Sequence, residues 1–197
     1  MKAYGIRSVV AWLAAVLWFT PADGGPREFD LHGIARAGGR SLQNAVVWLE
    51  NANPPGKTAA GKVVLDQRNL SFSPHVLAVR VGTTVDFPNH DTLLHNVFSF
   101  RDGKRFDLGM YPVGALRHVT FDKPGVSRIF CNIHPNMWAY VVAVDTPYFA
   151  VSDQSGGFTI ASVAPRSYTY HAWRAGAGEL TGAWSASADT TLAVEWR

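Results

Sequence analysis

The amino-acid sequence predicts an all-β fold, and three observations carry that prediction. Between Lys62 and Asp145, short runs rich in β-branched and aromatic residues follow one another closely. Turn-forming pairs such as Pro88-Asn89 and Pro124-Gly125 divide these runs. No segment sustains the apolar period of a long helix. This spacing of strands and turns is typical of a sandwich of antiparallel strands.

The two flanks of this central segment carry strand signals of their own. On the N-terminal side, the runs LHGIARA (31–37) and AVVWLE (45–50) are separated by Gly38-Gly39, which predicts a hairpin. On the C-terminal side, four further strand candidates lie at residues 148–152, 158–163, 168–173 and 192–196. A chain of 197 residues with 47% apolar composition is long enough for one domain with a sizeable core, or for two small ones.

The N-terminus has the features of an export signal. Lys2 and Arg7 precede an uninterrupted apolar run, residues 9–19, which is too short to span a bilayer. The run ends in a small-x-small pattern that suits cleavage after Ala22. We therefore predict that residues 1–22 are a signal peptide, that the protein is periplasmic or secreted, and that the mature form has no integral membrane segment.

Export makes the single cysteine informative. Without Lys2 and Arg7, the net charge falls from +3 to +1, and no dense basic stripe favours binding to nucleic acid. One cysteine cannot form an internal disulfide, and an unpaired thiol is vulnerable to oxidation outside the cytoplasm. Coordination of a metal by Cys131 would account for its presence.

The stretch FCNIHPNMW, residues 130–138, places three metal-binding side chains within seven residues: Cys131, His134 and Met137. Thiolate and thioether groups favour Cu(I), whereas imidazole accepts both oxidation states of copper. A copper site of this kind needs a second imidazole, which a short loop cannot also supply. His95 opens the strand candidate HNVFSF and is the preferred fourth ligand, with the nearby His90 as the alternative.

In their order along the chain, these residues resemble the blue copper proteins, or cupredoxins, and the compact loop is most similar to those of the amicyanin- and plastocyanin-like members. The resemblance implies a Greek-key β-sandwich over residues 62–145. It also implies one copper ion, cycling between Cu(I) and Cu(II). The metal ligands that it implies are His95, Cys131, His134 and Met137.

The same resemblance assigns roles to neighbouring residues. Asn96 matches the residue that ties the two ligand segments together, and Pro135 would stiffen the loop. His134 would be the exit for electrons, because the loop histidine of this family reaches solvent through an apolar patch. The residues expected to frame that patch are Pro135, Asn136, Met137, Trp138 and the pair Tyr111-Pro112.

The flanks resemble a different module, the carboxypeptidase-regulatory-like β-sandwich. Residues 31–50 have its spacing of glycine and apolar positions, and residues 152–173 resemble its D-x-x-G-x-F … V-x-x-x-x-Y stretch, although Ser167 replaces the usual glycine. We therefore expect a second small β-sandwich built from residues 27–61 and 146–197.

The preferred function is that of a one-electron carrier between redox partners. The sequence predicts a redox partner protein but does not identify it. The alternative is periplasmic copper binding and delivery by the same ligands. An enzyme is disfavoured because copper oxidases commonly flank their cysteine with histidines, whereas Phe130 and Asn132 flank Cys131. An adhesion or assembly role with structural copper also stays open.

Overall fold

The computed structural model describes residues 28–51, 62–100, 102–185 and 191–197. These residues form eighteen β-strands and no helix, which confirms the all-β prediction. The predicted signal peptide, residues 1–22, lies outside the described residues, and so does most of the segment between the first flank and the central strands. None of the described residues belongs to a helix long and apolar enough to cross a membrane.

The strands divide into three sets along the chain. The N-terminal flank contributes β1 (Phe29–Ala37), β2 (Arg40–Ser41) and β3 (Val46–Glu50). The central segment contributes β4 (Lys62–Val64), β5 (Asp66–Arg68), β6 (Ser71–Ser73), β7 (Val76–Arg80), β8 (Thr83–Pro88), β9 (His95–Ser99), β10 (Phe106–Tyr111), β11 (Leu116–Phe121), β12 (Gly125–Phe130) and β13 (Trp138–Val144). The C-terminal flank contributes β14 (Phe149–Val151), β15 (Gly157–Val163), β16 (Ser167–Arg174), β17 (Gly178–Ser185) and β18 (Leu192–Trp196).

The central strands form one sandwich. Its first sheet has the order β10-β9-β12-β13-β7 and its second the order β11-β8-β4, while β5 and β6 pair as a separate ribbon. Most neighbours are antiparallel, but β13 and β7 run parallel, as do β4 and β8. Valines from both sheets, among them Val85, Val97 and Val141, share one core with Cys131 and Met137.

The flanking strands form a second sandwich, in which both flanks contribute to each sheet. One sheet has the order β15-β1-β18, with β2 also paired to β1, and the other has the order β14-β3-β16-β17. Leu31 and Val47 from the N-terminal flank share a core with Ile160, Tyr168 and Val194 from the C-terminal flank. The two flanks are therefore one folding unit in space although some hundred residues separate them in sequence.

A third core joins the two sandwiches face to face. It contains Val46, Trp48 and Trp173 of the flanking sandwich, and Val142 and Val144 of β13. The β14-β3-β16-β17 sheet thus packs against the outer face of the five-stranded central sheet. The described strands thus stack as four sheets with three apolar interiors, and the central strands of the two inner sheets are covered on both faces.

This stacking explains two apolar runs that lack a clear alternation. In β13, Val141 belongs to the central core and Val142 to the core between the sandwiches. In β3, Val47 packs within the flanking sandwich and Val46 packs against β13. A strand buried on both faces needs apolar residues at successive positions. Its sequence therefore does not show the alternation of apolar and polar residues that is typical of a half-exposed strand.

The predicted hairpin between residues 31–37 and 45–50 is wrong. The turn at Gly38-Gly39 instead joins β1 to the two-residue β2, and both glycines have positive φ, 54° and 75°. β1 pairs with β15 and β18, whereas β3 lies in the opposite sheet between β14 and β16. The chain crosses between layers here because β1 and β3 each find long partners in the C-terminal flank.

Candidate metal centre

The ends of three neighbouring strands bring the predicted ligands together. His95 is the first residue of β9, Cys131 directly follows β12, and Met137 directly precedes β13. β12 lies between β9 and β13 in the sheet, and Phe130 is opposite Phe98 of β9. Residues that are 36 positions apart in sequence therefore meet at one edge of the central sheet.

The donor atoms of His95, Cys131 and His134 form a compact triangle. The two histidine Nδ1 atoms are 3.1 Å apart, and Cys131 Sγ lies 3.9 Å from Nδ1 of His95 and 3.6 Å from Nδ1 of His134. A point equidistant from the three atoms is about 2.1 Å from each, which is within the range of metal–nitrogen and metal–sulfur bonds, about 2.0–2.3 Å. The described residues contain no other group of three or more histidine, cysteine or acidic side chains close enough to hold a metal ion.

Backbone hydrogen bonds close the loop that carries the other ligands. The Cys131 amide donates to the Met137 carbonyl at 3.1 Å, and the Met137 amide donates to the His134 carbonyl at 2.9 Å. The Met137 side chain is 1% exposed and packs in the same core as Cys131. The predicted thioether ligand is therefore held inside the protein, beneath the loop, and not on its surface.

His95 is held from its far side by a carboxylate that no sequence pattern predicted. Its Nε2 lies 3.0 Å from Oδ2 of Asp91, and both residues are buried, with 0% and 7% exposure. A proton on Nε2 of the neutral ring can be donated to this carboxylate, and in that tautomer the lone pair is on Nδ1. That lone pair points toward Cys131 and His134, where a metal would bind.

Asp91 is itself fixed by backbone donors. The Leu70 amide donates to its Oδ2 at 2.7 Å and the Thr92 amide donates to its Oδ1 at 2.7 Å. The Leu70 amide contributes most to lowering the pKa of Asp91 to about 2, burial opposes it, and the Thr92 amide and His95 assist. Asp91 is therefore a fully ionised carboxylate at neutral pH.

Two asparagines tie the ligand segments together. Asn96 accepts a hydrogen bond from the amide of Asn132 at 3.4 Å and donates one to Asp107 at 2.9 Å, so it links β9 to the residue after Cys131. This link is the one expected of Asn96. The second, Asn89, is buried and donates to the carbonyls of Leu93 and Tyr111; only its neighbour His90 attracted attention in the sequence.

The alternative ligand, His90, lies elsewhere, and so does His75. His90 is exposed and its Nδ1 is 2.9 Å from Asp66, away from the triangle. His75 packs its ring against Trp138, with ring centroids 4.3 Å apart, and burial lowers its pKa. Neither belongs to the group of possible metal ligands among the described residues.

His134 is half-buried, and four exposed apolar residues lie close to the ligands His95 and His134 in sequence or through strand pairing. Leu93, Leu94, Val113 and Ile133 are each about half exposed, and we call these four residues the apolar rim. Leu93 and the segment before Val113 are held together by Asn89, while Ile133 is the residue before His134. Of the expected frame, Pro112, Pro135 and Asn136 are exposed, Trp138 is half-buried, and Tyr111 and Met137 are buried.

The donor set fits copper on chemical grounds. A thiolate, two imidazole nitrogens and a thioether combine soft ligands that favour Cu(I) with ligands that also accept Cu(II). A trigonal His₂Cys arrangement with a weak axial methionine is the ligand pattern of blue-copper electron-transfer sites. Structural zinc sites, in contrast, generally use four cysteine or histidine ligands, and only three are grouped here.

Comparison with known proteins gave solved structures only, since no family model and no curated protein matches the sequence. A purple cupredoxin from Nitrosopumilus maritimus is 26% identical, with a TM-score of 0.38, over 43% of this chain and 99% of that one. A reduced amicyanin variant is 24% identical, with a TM-score of 0.39, over 50% of this chain and 98% of that one. A copper-containing nitrite reductase from Thermus scotoductus SA-01 is 26% identical, with a TM-score of 0.40, over 47% of this chain and 25% of that one.

The central sandwich places the His-Cys-His triangle at one edge of its five-stranded sheet, as the resemblance to the blue copper proteins implies. The solved structures with which this chain was compared are similar to about half of it. The function proposed below is therefore argued from the residues of this chain.

Proposed function

We propose that this protein is an exported, mononuclear type 1 copper protein that carries one electron at a time between redox partners. The observation that carries the proposal is the triangle of donor atoms, in which His95, Cys131 and His134 converge on one point at bonding distance. Met137, buried beneath the loop, is the proposed axial ligand. Copper would supply a reversible one-electron couple at this point.

The chain's own residues would keep this site rigid. The strand ends fix His95 and Cys131, the two loop hydrogen bonds fix His134 and Met137, and burial excludes water from three of the four ligands. A site that barely moves between oxidation states exchanges electrons readily, whereas a site that must release its metal benefits from an open, mobile loop. The closed loop therefore favours electron transfer over copper delivery.

The apolar rim around His134 is the proposed contact with a protein redox partner. Leu93, Leu94, Val113 and Ile133 offer an uncharged surface that two proteins can bury briefly, and Ile133 directly precedes the half-buried His134. In this proposal the electron passes through the His134 ring, and no substrate is converted.

We also propose an organisation of the chain. Residues 62–145 form the copper-binding domain, and residues 27–61 and 146–197 form a carboxypeptidase-regulatory-like sandwich around it. Shared cores within each sandwich support this division. Residues 1–22 would direct export. Outside the cytoplasm the unpaired thiol of Cys131 would be exposed to oxidation, and a bound metal would protect it.

Copper titration combined with electrochemistry tests the proposal. We expect the mature protein to bind one equivalent of Cu(II), to develop an intense visible band, and to show a reversible one-electron wave. A competition with a Cu(I) chelator should be slow. Rapid transfer of Cu(I) to the chelator without a reversible wave would instead indicate copper delivery, and absence of stoichiometric binding would overturn both functions.

A further inference from the structure

The hydrogen bond between Asp91 and His95 forms a buried chain that runs from a carboxylate, through an imidazole, to the candidate metal centre. His95 Nε2 lies 3.0 Å from Asp91 Oδ2, and His95 Nδ1, on the opposite side of the same ring, lies 3.1 Å from His134 Nδ1 and 3.9 Å from Cys131 Sγ. His95 has no solvent exposure, so water cannot replace the carboxylate as its partner. The orientation of the His95 ring is therefore fixed by buried protein groups and not by solvent.

Asp91 cannot rotate away from His95 at low cost. Its Oδ2 also accepts the Leu70 amide and its Oδ1 accepts the Thr92 amide, both at 2.7 Å. Its own amide donates to Oδ1 of Asn89 at 3.1 Å, and Asn89 is buried. Every hydrogen bond to this carboxylate would be lost or distorted if the side chain turned, and buried amides without acceptors are costly.

The carboxylate selects one of two tautomers of His95. With the proton on Nε2, the Nδ1 lone pair is free to bind a metal. With the proton on Nδ1, the ring could donate to His134 Nδ1, 3.1 Å away, and the metal-binding lone pair would be lost. Asp91 favours the first arrangement, because only a proton on Nε2 allows His95 to donate to the buried carboxylate.

We propose that Asp91 is a positioning residue of the metal centre, which fixes the metal-binding tautomer of His95 and strengthens its Nδ1 as a donor to the oxidised metal. The stronger donation to the oxidised metal rests on the proposed copper function, whereas the choice of tautomer does not. A carboxylate partner increases the electron density of the imidazole more than a neutral acceptor does. The stronger donor stabilises Cu(II) more than Cu(I), and Asp91 therefore lowers the reduction potential of the site.

His134 has a different environment, which makes the two imidazoles unequal. Its ring is half-buried beside the apolar rim, and its Nδ1 contacts are with His95 and Cys131. Within the described residues, no carboxylate is hydrogen-bonded to its ring. The structure thus assigns His95 the role of the fixed ligand, and of the two imidazoles it alone is hydrogen-bonded to a carboxylate among the described residues.

The tautomer is measured on metal-free wild-type protein, with no variant needed. Two-dimensional ¹⁵N–¹H correlation of the histidine rings, recorded well above the ordinary histidine pKa of about 6.5, should show His95 with a protonated Nε2 and an unprotonated Nδ1. Its Nε2 proton should exchange slowly because the ring is buried. A protonated Nδ1, or an Nε2 proton in rapid exchange with water, would overturn the proposal.

Asp91→Asn then tests the tuning, because it keeps the size and an acceptor oxygen but removes the charge. We expect Cu(II) affinity to fall about tenfold or more while Cu(I) affinity changes little. The reduction potential should rise by about 59 mV for each tenfold fall in the ratio of the Cu(II) affinity to the Cu(I) affinity. The matched control is Asp66→Asn, which removes the same charge from the exposed pair with His90 and should leave the potential unchanged.

An unchanged potential in a folded Asp91→Asn protein would overturn the tuning. Equal shifts in Asp91→Asn and Asp66→Asn would also overturn it, since they would indicate a general effect of charge. If wild-type protein bound no copper, the copper function would fail, but the wild-type tautomer would still test the positioning role. The two failures are therefore distinguishable.

Discussion

The rings of Tyr140 and Trp173 pack edge to face across the boundary between the two sandwiches. Their centroids are 5.0 Å apart and their planes make an angle of 69°. Tyr140 lies on β13, the strand that begins directly after the metal loop, and Trp173 lies on β16 of the flanking sandwich. The flanking sandwich is thus packed directly onto the sheet that carries the ligands, and we expect the two to unfold together.

Trp173→Ala should destabilise the whole molecule. Trp173 is 9% exposed and belongs to the core between the sandwiches, so its removal leaves a cavity there. Truncation of a buried Trp typically costs about 3–5 kcal/mol in the free energy of unfolding, which chemical denaturation measures. Trp184→Ala on the edge strand β17, where the ring is only partly buried, is the matched control and should cost less.

A Trp173→Ala protein that lost no more stability than Trp184→Ala would contradict the packing of the two sandwiches. Two separate unfolding transitions in the wild-type protein would contradict it as well. The visible spectrum of copper-loaded, folded Trp173→Ala should match that of the wild type, because the metal ligands pack in the other core.

The choice of His95 over His90 as a ligand has a direct test. His95→Ala removes a buried imidazole at the triangle, and Cu(II) affinity should fall by more than the about 10–100-fold typical of substitutions outside the ligand set. His90→Ala removes an exposed ring paired with Asp66 and should leave the affinity unchanged. Competition against a chelator of known affinity measures both, and a loss of affinity in His90→Ala equal to that in His95→Ala would exclude the assignment.

Tyr168 predicts an alkaline limit on the stability of the flanking sandwich. Its hydroxyl donates to the Ala164 carbonyl at 2.9 Å, and burial raises its pKa to about 12. A raised pKa means that its contribution is complete below about pH 10, the ordinary tyrosine pKa, and is lost as the pH rises toward 12.

We therefore expect Tyr168→Phe to cost about 1 kcal/mol in the free energy of unfolding at neutral pH. Between about pH 10 and 12, the stability of this variant should fall less steeply than that of the wild type. Denaturant titrations at several pH values measure both effects. Tyr170→Phe, a partly buried tyrosine on the same strand, is the control, and an equal change of slope in both variants would refute the role of Tyr168.

Much of the site could be predicted from sequence because its chemistry is carried by rare residue types in a fixed local order. Cys131, His134 and Met137 lie on one loop, and the structure gathers the first two with His95. Asp91 could not be predicted in the same way, because aspartates are common and its role depends on a hydrogen bond across a ring. Asn89 was predicted only as a turn residue, because its hydrogen bonds bridge two backbone segments that come together in the fold.

The fold class could also be predicted from the sequence, whereas the pairing of the flanking strands could not. Strand runs and turns reveal β-structure locally, but β1 and β3 find their partners more than a hundred residues away. Gly38-Gly39 does form a turn, but the strand that pairs with β1 after it is the short β2 and not the predicted run 45–50. A turn sequence does not show how long the returning strand is. The continuous apolar runs of β3 and β13 were the available signal that another layer covers them.

The visible absorption and electron paramagnetic resonance spectra of copper-loaded protein, compared between the wild type and Cys131→Ser, test the central claim most directly. We predict an intense thiolate-to-copper band and a narrow copper hyperfine splitting in the wild type, because the Cys131 sulfur and the two imidazole nitrogens converge on one point at bonding distance. Both features should disappear in Cys131→Ser. A wild-type protein without the band, or a band that persists in Cys131→Ser, would contradict a type 1 copper centre at this site.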